Sequence, residues 1–377
     1  MGGLASAVFA AAAVTAAPPP AAAAVPTGGA VAVLSRMTLA QRVGQLFMVG
    51  TPATYASSAT LNAISTFHVG NVMLIGRSYA GTSATGKVSA RLRSRATTGA
   101  TAAVPLFIGT DQEGGSVQVL NGPGFSAIPA ALTQGGWSTT KLRTYATLWG
   151  RQLRSAGVNV DLAPVVDTVP SAAAALTNPP IGYYHREFGY TPAVVAAHGT
   201  AFVQGLTAAG VDATAKHFPG LGRVSANPDT ASGVTDRVTV RRDPYLAPFA
   251  AAVRAKAAFL MVSTAYYRRI DAYHPAAFSR TVITGMVRGD LAFHGVVISD
   301  DLGNARQVAA WSAASRALQF LSAGGDMVLT VNANVLPAMV KAVLARATTN
   351  AAFRAQVNAA ALRVLTAKQN LGLIPPP

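Results

Sequence analysis

The chain's 377 residues are 51% hydrophobic and 12% charged, enough apolar material for one large barrel or two average domains and too much for a disordered chain. The formal net charge is +16, yet no stretch sets dense Lys/Arg among aromatics, which argues against a nucleic-acid partner. There is no cysteine, so disulfides, thiolate metal sites, a cysteine nucleophile and a lipidated N-terminal cysteine are all excluded.

In chain order, residues 4–17 are apolar and alanine-rich, followed by Pro18, Pro19 and Pro20 and the small residues 21–24. This is the pattern of a secretory signal's apolar segment and cleavage zone, though without the usual basic start. The prolines cut the run short of the roughly 20 residues that a membrane span needs. Export is therefore expected, with residues 1–29 as leader and 30–377 as a single domain. From there one pattern repeats: a short β-rich apolar run, a polar or Gly/Pro turn, then a longer helical segment. Strands are predicted at 46–49, 72–75, 106–109, 160–163, 212–215, 260–263, 296–299 and 327–329. Amphipathic helices are predicted at, among others, 141–156, 193–209, 245–257 and 306–323. Glycines after Ala156 and Ala209 supply helix stops.

Eight strand–helix alternations suit a closed α/β fold, a (β/α)8 TIM-type barrel. The rival, an open doubly wound sheet, would favour a glycine-rich phosphate turn after the first strand, and Gly50-Thr51-Pro52-Ala53 is a poor match. In a parallel barrel the chemistry sits at the C-terminal strand ends, and the sparse charges follow them. Strand three is followed by Asp111-Gln112-Glu113-Gly114-Gly115, and strand four leads into Asp161 and Asp167. Strand five ends in Lys216-His217-Phe218-Pro219-Gly220-Leu221-Gly222, strand seven in Ser299-Asp300-Asp301-Leu302, and Asp326 precedes the eighth. Asp301 and Asp326 are equally well read as helix caps or scaffold. Carboxylates and a lysine together can hold vicinal hydroxyls, which points to sugar chemistry. The six histidines are scattered without ligand spacing, so neither a metal nor another cofactor is expected.

Asp111–Gly115, Lys216–Gly222 and Ser299–Leu302 resemble the motifs of glycoside hydrolase family 3, in particular its single-domain β-N-acetylglucosaminidases. Asn159-Val160-Asp161-Leu162-Ala163-Pro164-Val165 and the stretch from Ile181-Gly182 to Arg186-Glu187-Phe188-Gly189 resemble two further family segments. The resemblance runs from about Met37 to Leu373. It implies a retaining exo-glycosidase acting on terminal β-linked GlcNAc, with Asp300 as the nucleophile that forms a covalent glycosyl-enzyme. It further implies that Asp111, Arg186, Lys216 and His217 grip the sugar, with Glu113 mainly scaffold.

The proton donor departs from the family pattern. Relatives carry Asp-Ser-His in the loop after the Lys-His motif, whereas here Asn227 falls at the dyad aspartate and Asp229 at the histidine. Three readings stand: Asp229 is the acid/base with a pKa raised by burial, Asp236 or another carboxylate serves, or the barrel only binds glycans. A carboxylate there would repel phosphate, so a hydrolase is expected rather than a phosphorylase. The expected partner is a carbohydrate: peptidoglycan fragments or chitooligosaccharides, met by a secreted monomer. The positive charge fits either association with an anionic cell wall or a compositional preference for arginine. A β-glucosidase or β-xylosidase is the nearest enzymatic alternative.

Overall fold

The computed structural model describes residues 28–377, so the predicted leader lies outside the described residues. Eight parallel strands succeed one another around a ring: β1 (Phe47–Pro52), β2 (Asn71–Ile75), β3 (Phe107–Thr110), β4 (Val160–Asp161), β5 (Asp212–Phe218), β6 (Phe259–Val262), β7 (Val296–Ser299) and β8 (Val328–Thr330). Each pairs with its sequence neighbour, and β8 returns to β1 with Phe47 opposite Val328. The β7–β8 seam is joined by the bridge of Ile298 to Met327, with Ser299 N–H donating to the Met327 carbonyl. The ring is therefore a (β/α)8 barrel, and the open-sheet alternative is set aside.

The runs read as continuously apolar because both strand faces are buried. Met48, Met73, Phe107, Val160, Phe259, Met261, Ile298 and Leu329 pack together as one interior cluster. Their alternating neighbours, such as Phe47, Val72, Ile108, Leu260 and Val297, join the larger cluster beneath the surrounding helices. The helices that follow β1–β5 are Ser58–Phe67, Gly81–Arg93, Thr139–Ser155, Pro192–Ala208 and Ala247–Arg254. After β6 the segment Thr281–Asp290 is wound as a π-helix, and Ala313–Ser322 and Leu336–Thr349 follow β7 and β8. Side-chain caps begin several of them: Ser138 accepts from Lys141 N–H, and Thr191 from Val194 N–H just ahead of Pro192.

Two expectations are corrected. The predicted helix 306–323 is broken into a 3-10 turn, Arg306–Val308, and the helix Ala313–Ser322 capped by Ser312. The N–H groups of Arg306 and Gln307 donate to the carbonyls of Asp229 and Pro228 instead of to a helical turn. Asp326 lies not at the catalytic rim but at the opposite, N-terminal end of the barrel. There it is fully buried, ion-paired with Arg288 and Arg363, and accepts from Val297 N–H at the start of β7. The C-terminal helix Ala351–Asn370 seals that same end, with Val364 and Ala367 in the interior cluster. Its Lys368 is buried with no carboxylate partner among the described residues, donating to Gln45 Oε1 and the Gly70 carbonyl, and burial holds its pKa well below the usual lysine value.

Candidate active site

At the C-terminal end of the barrel a cavity of about 410 Å³ opens, lined by Asp111, Arg186, Lys216, His217, Asp229 and Asp300. All six predicted site residues meet there, although they come from four different strand ends, those of β3, β4, β5 and β7. Strand β5 runs through Phe218, so Lys216 and His217 sit on its last residues, and the peptide between them is cis. Met73, Leu162, Met261 and Leu329 give the cavity an apolar floor continuous with the barrel interior.

Its polar wall is an ion-pair network. Lys216 Nζ lies 2.6 Å from both Asp111 Oδ1 and Glu113 Oε1, and Arg186 grips Glu113 through Nε and Nη2 at 2.8 and 2.7 Å. Glu113 thus joins the two cations, the scaffold role expected of it. Burial pushes its carboxyl pKa up, but Arg186 and Lys216 outweigh that and hold it at about 2. Burial likewise works against the charge on Lys216 and Arg186, and the neighbouring carboxylates raise both above their ordinary values. Asp161 accepts from Gln112 N–H beneath this wall. Burial above all, with Asp111 and Glu113 nearby, lifts it to about 8, so it is largely protonated at pH 7.

His217 is fixed by Asp167, whose carboxylate accepts from its Nδ1 at 2.7 Å, from its backbone N–H, and from Leu221 N–H at 2.7 Å. A carboxylate on Nδ1 places a proton there and leaves Nε2 for the cavity. Asp167 was visible in sequence as a strand-end acid, but its partner was not.

Asp300 follows β7 directly; among the described residues its Oδ1 accepts only from Asp301 N–H, which leaves the carboxylate otherwise available to a substrate. Asp301 also lines the cavity, yet its oxygens accept from Gly303, Asn304 and Val331 N–H groups, a capping role. Asp229 sits on the loop after β5. At the position of the relatives' dyad aspartate, Asn227 Oδ1 accepts from Asp229's own N–H at 2.9 Å and so shapes the turn. Burial first, and then the charge of Asp300, raise the Asp229 pKa to about 6. Asp236 is not part of the cavity: its carboxylate is consumed by Val238 N–H, Thr239 N–H and the Thr239 hydroxyl. That removes it as an alternative proton donor. Among the described residues no cluster of His, Cys, Asp or Glu is arranged to hold a metal ion.

The model of the glycosyl hydrolase family 3 N-terminal domain matches residues 38–367. The chain is 33% identical over 325 residues to a beta-hexosaminidase of Xanthomonas campestris pv. campestris (strain B100), covering 84% of this chain and 93% of that protein. Among solved structures it is similar to a beta-N-acetylhexosaminidase from Beutenbergia cavernae DSM 12333, with TM-score 0.88 and 52% identity over 88% of this chain and 99% of the other. It is also similar to a family 3 beta-N-acetylglucosaminidase from Paenibacillus sp. str. FPU-7, with TM-score 0.81 and 31% identity over 89% of this chain and 63% of the other.

Proposed function

The chain belongs to glycosyl hydrolase family 3, and from that premise we propose that it is a retaining exo-β-N-acetylhexosaminidase releasing terminal β-linked N-acetylglucosamine. One observation carries the reading. A single cavity brings together an available carboxylate, Asp300, and a second, Asp229, whose proton is held by burial and by the first one's charge.

Asp300 attacks the anomeric carbon as Asp229 gives its proton to the glycosidic oxygen. The C–O bond breaks, the aglycone leaves as an alcohol, and the sugar remains as an ester of Asp300. Esterification removes the negative charge that helped hold the Asp229 proton, so Asp229 ends as a carboxylate suited to the second half-reaction. It then takes a proton from water, the water attacks the anomeric carbon, and Asp300 is freed as a carboxylate. Throughout, Asp111, Arg186, Lys216 and the Nε2 of His217 hold the sugar's hydroxyls. The apolar floor offers the acetamido methyl a dry contact, which agrees with the names of the relatives.

The substrates proposed are cell-wall fragments or chitooligosaccharides, met outside the cell by a monomer. The leader-like residues 4–24 and the net charge of +16 support that setting. The cavity itself carries Asp111, Asp229, Asp300 and Asp301 against Arg186 and Lys216. Attraction to an anionic wall would therefore act through the outer surface and not through the site.

A chromogenic β-GlcNAc glycoside assayed beside the β-glucoside tests the reading. Cleavage of the former, abolished in Asp300→Ala, is expected. Faster turnover of the glucoside would shift the assignment to a β-glucosidase. No turnover of either, with wall fragments still bound, would make the barrel a glycan-binding protein.

A further inference from the structure

Six tyrosines among the described residues are strongly exposed, and five of them stand on segments leaving the C-terminal ends of the barrel strands: Tyr55, Tyr79, Tyr183, Tyr184 and Tyr273. A scattered exposed aromatic needs no explanation, but an adjacent pair beside a cavity does. Tyr183 and Tyr184 are 64% and 45% exposed and pack edge to face, with ring centroids 5.1 Å apart. They occupy the 3-10 turn Gly182–Tyr184, between Pro180 and Arg186, which both line the cavity.

That turn is held firmly. Buried Asn178 accepts from Gly182 N–H through Oδ1 and from Tyr183 N–H through its carbonyl. Through Nδ2 the same side chain donates to the carbonyls of Leu221 and Val224, each at 2.8 Å. Those two residues belong to the loop that carries Asp229. Arg186 Nη1 closes the other side on the Pro180 carbonyl at 2.7 Å. The aromatic pair is therefore braced against the segment that presents the proton donor, without being part of the ion-pair network.

We propose that Tyr183 and Tyr184 form a stacking platform for the sugar unit on the leaving-group side of the scissile bond, so that the natural substrate is an oligosaccharide rather than a small glycoside. The proposal rests on the glycosidase reading above. Asp229 must reach the glycosidic oxygen, so the aglycone extends from the side of its loop, where the pair is braced. A pyranose presents a face of C–H groups that packs on an aromatic ring, and a tyrosine adds a hydroxyl for hydrogen bonding. Two consecutive tyrosines kept in water by a rigid turn suit that role.

The test compares methyl β-GlcNAc with β-1,4-linked GlcNAc oligomers of two to five units. For the wild type, kcat/KM should rise with chain length. In Tyr183→Ala/Tyr184→Ala it should fall about 3- to 10-fold on oligomers, mainly through KM, with the methyl glycoside unchanged and with recovery in Tyr183→Phe/Tyr184→Phe. An undiminished length preference in the alanine variant would overturn the proposal. Calorimetric titration of the pentamer into Asp300→Asn, with and without the two alanines, decides the platform even if no glycoside is turned over. Weaker binding without the tyrosines supports it, and equal binding refutes it.

Discussion

Replacing Asp229 by Asn removes a carboxyl whose pKa is raised from 3.8 to about 6, first by burial and then by Asp300. With the ordinary value, about 0.6% of the group would hold its proton at pH 6; at the raised value about half does, so roughly 80 times more enzyme carries an acid ready for the glycosidic oxygen. The wild-type kcat/KM should accordingly decline above about pH 6 on an alkyl β-GlcNAc glycoside, whose leaving oxygen needs the proton. In Asp229→Asn that limb should vanish, with a loss of about 10²–10⁴-fold on the alkyl glycoside and a much smaller one on a dinitrophenyl glycoside. The assay is kcat/KM for both substrates from pH 4 to 9. Azide, which attacks without needing a base, should restore kcat on the activated substrate. A variant that keeps the limb and loses the same factor on both glycosides would refute the assignment of Asp229 to proton transfer.

Glu113→Gln leaves Arg186 and Lys216 buried with less compensating charge, and should cost about 3–5 kcal/mol, read as a fall in midpoint by denaturant titration. Because folding lowers the Glu113 pKa to about 2, its contribution is present above the unfolded value of 4.5 and lost as pH falls through about 2; the variant's stability should vary less over that window. Asp212 has the opposite sign: burial raises it to about 7, with Oδ2 buried and without a hydrogen-bond partner among the described residues. Its folded state favours the proton, so stability is full below pH 3.8 and lost as pH rises through about 7. Asp212→Asn should therefore be more stable than wild type at pH 8, with the gap closing below pH 4 in thermal melts. In phosphate buffer the enzyme should release GlcNAc and no GlcNAc-1-phosphate, since the Asp229 carboxylate left after glycosylation repels the dianion; detection of the sugar phosphate would contradict this.

The barrel was legible because strands buried on both faces read as short apolar runs bounded by turn residues, as at Val296–Ser299 after Gly295. The candidate site was legible because its charges cluster at strand ends in a chain with only 14 acidic residues. What sequence could not supply was contact between distant segments. Asp167 and His217 are 50 residues apart, and nothing local marks their bond. The helix expected from residue 306 fails because its first N–H groups are claimed by the loop at Pro228 and Asp229, a competition no periodicity reveals. Asp326 was misplaced for a related reason: an acid just before a strand faces the opposite end of the barrel from one just after it. Asp236 reads in sequence as a free carboxylate, and only the turn around it shows that its oxygens are used up.

The seal formed by the helix Ala351–Asn370 bears on how the chain reaches this fold. Strand β1 finds its partner β8 only after most of the described chain has been laid down, and Ala30 N–H donates to Gln369 Oε1 across a still longer separation of 339 residues. Such long-range closures are slow, because loop entropy must be lost before the contacts form. Until they do, β1 and β8 are open edges and Met48 and Phe107 lie beside an unfilled end. Refolding from denaturant should therefore be slow and sensitive to protein concentration, and the docking of residues 351–370 should be the event that ends that sensitivity.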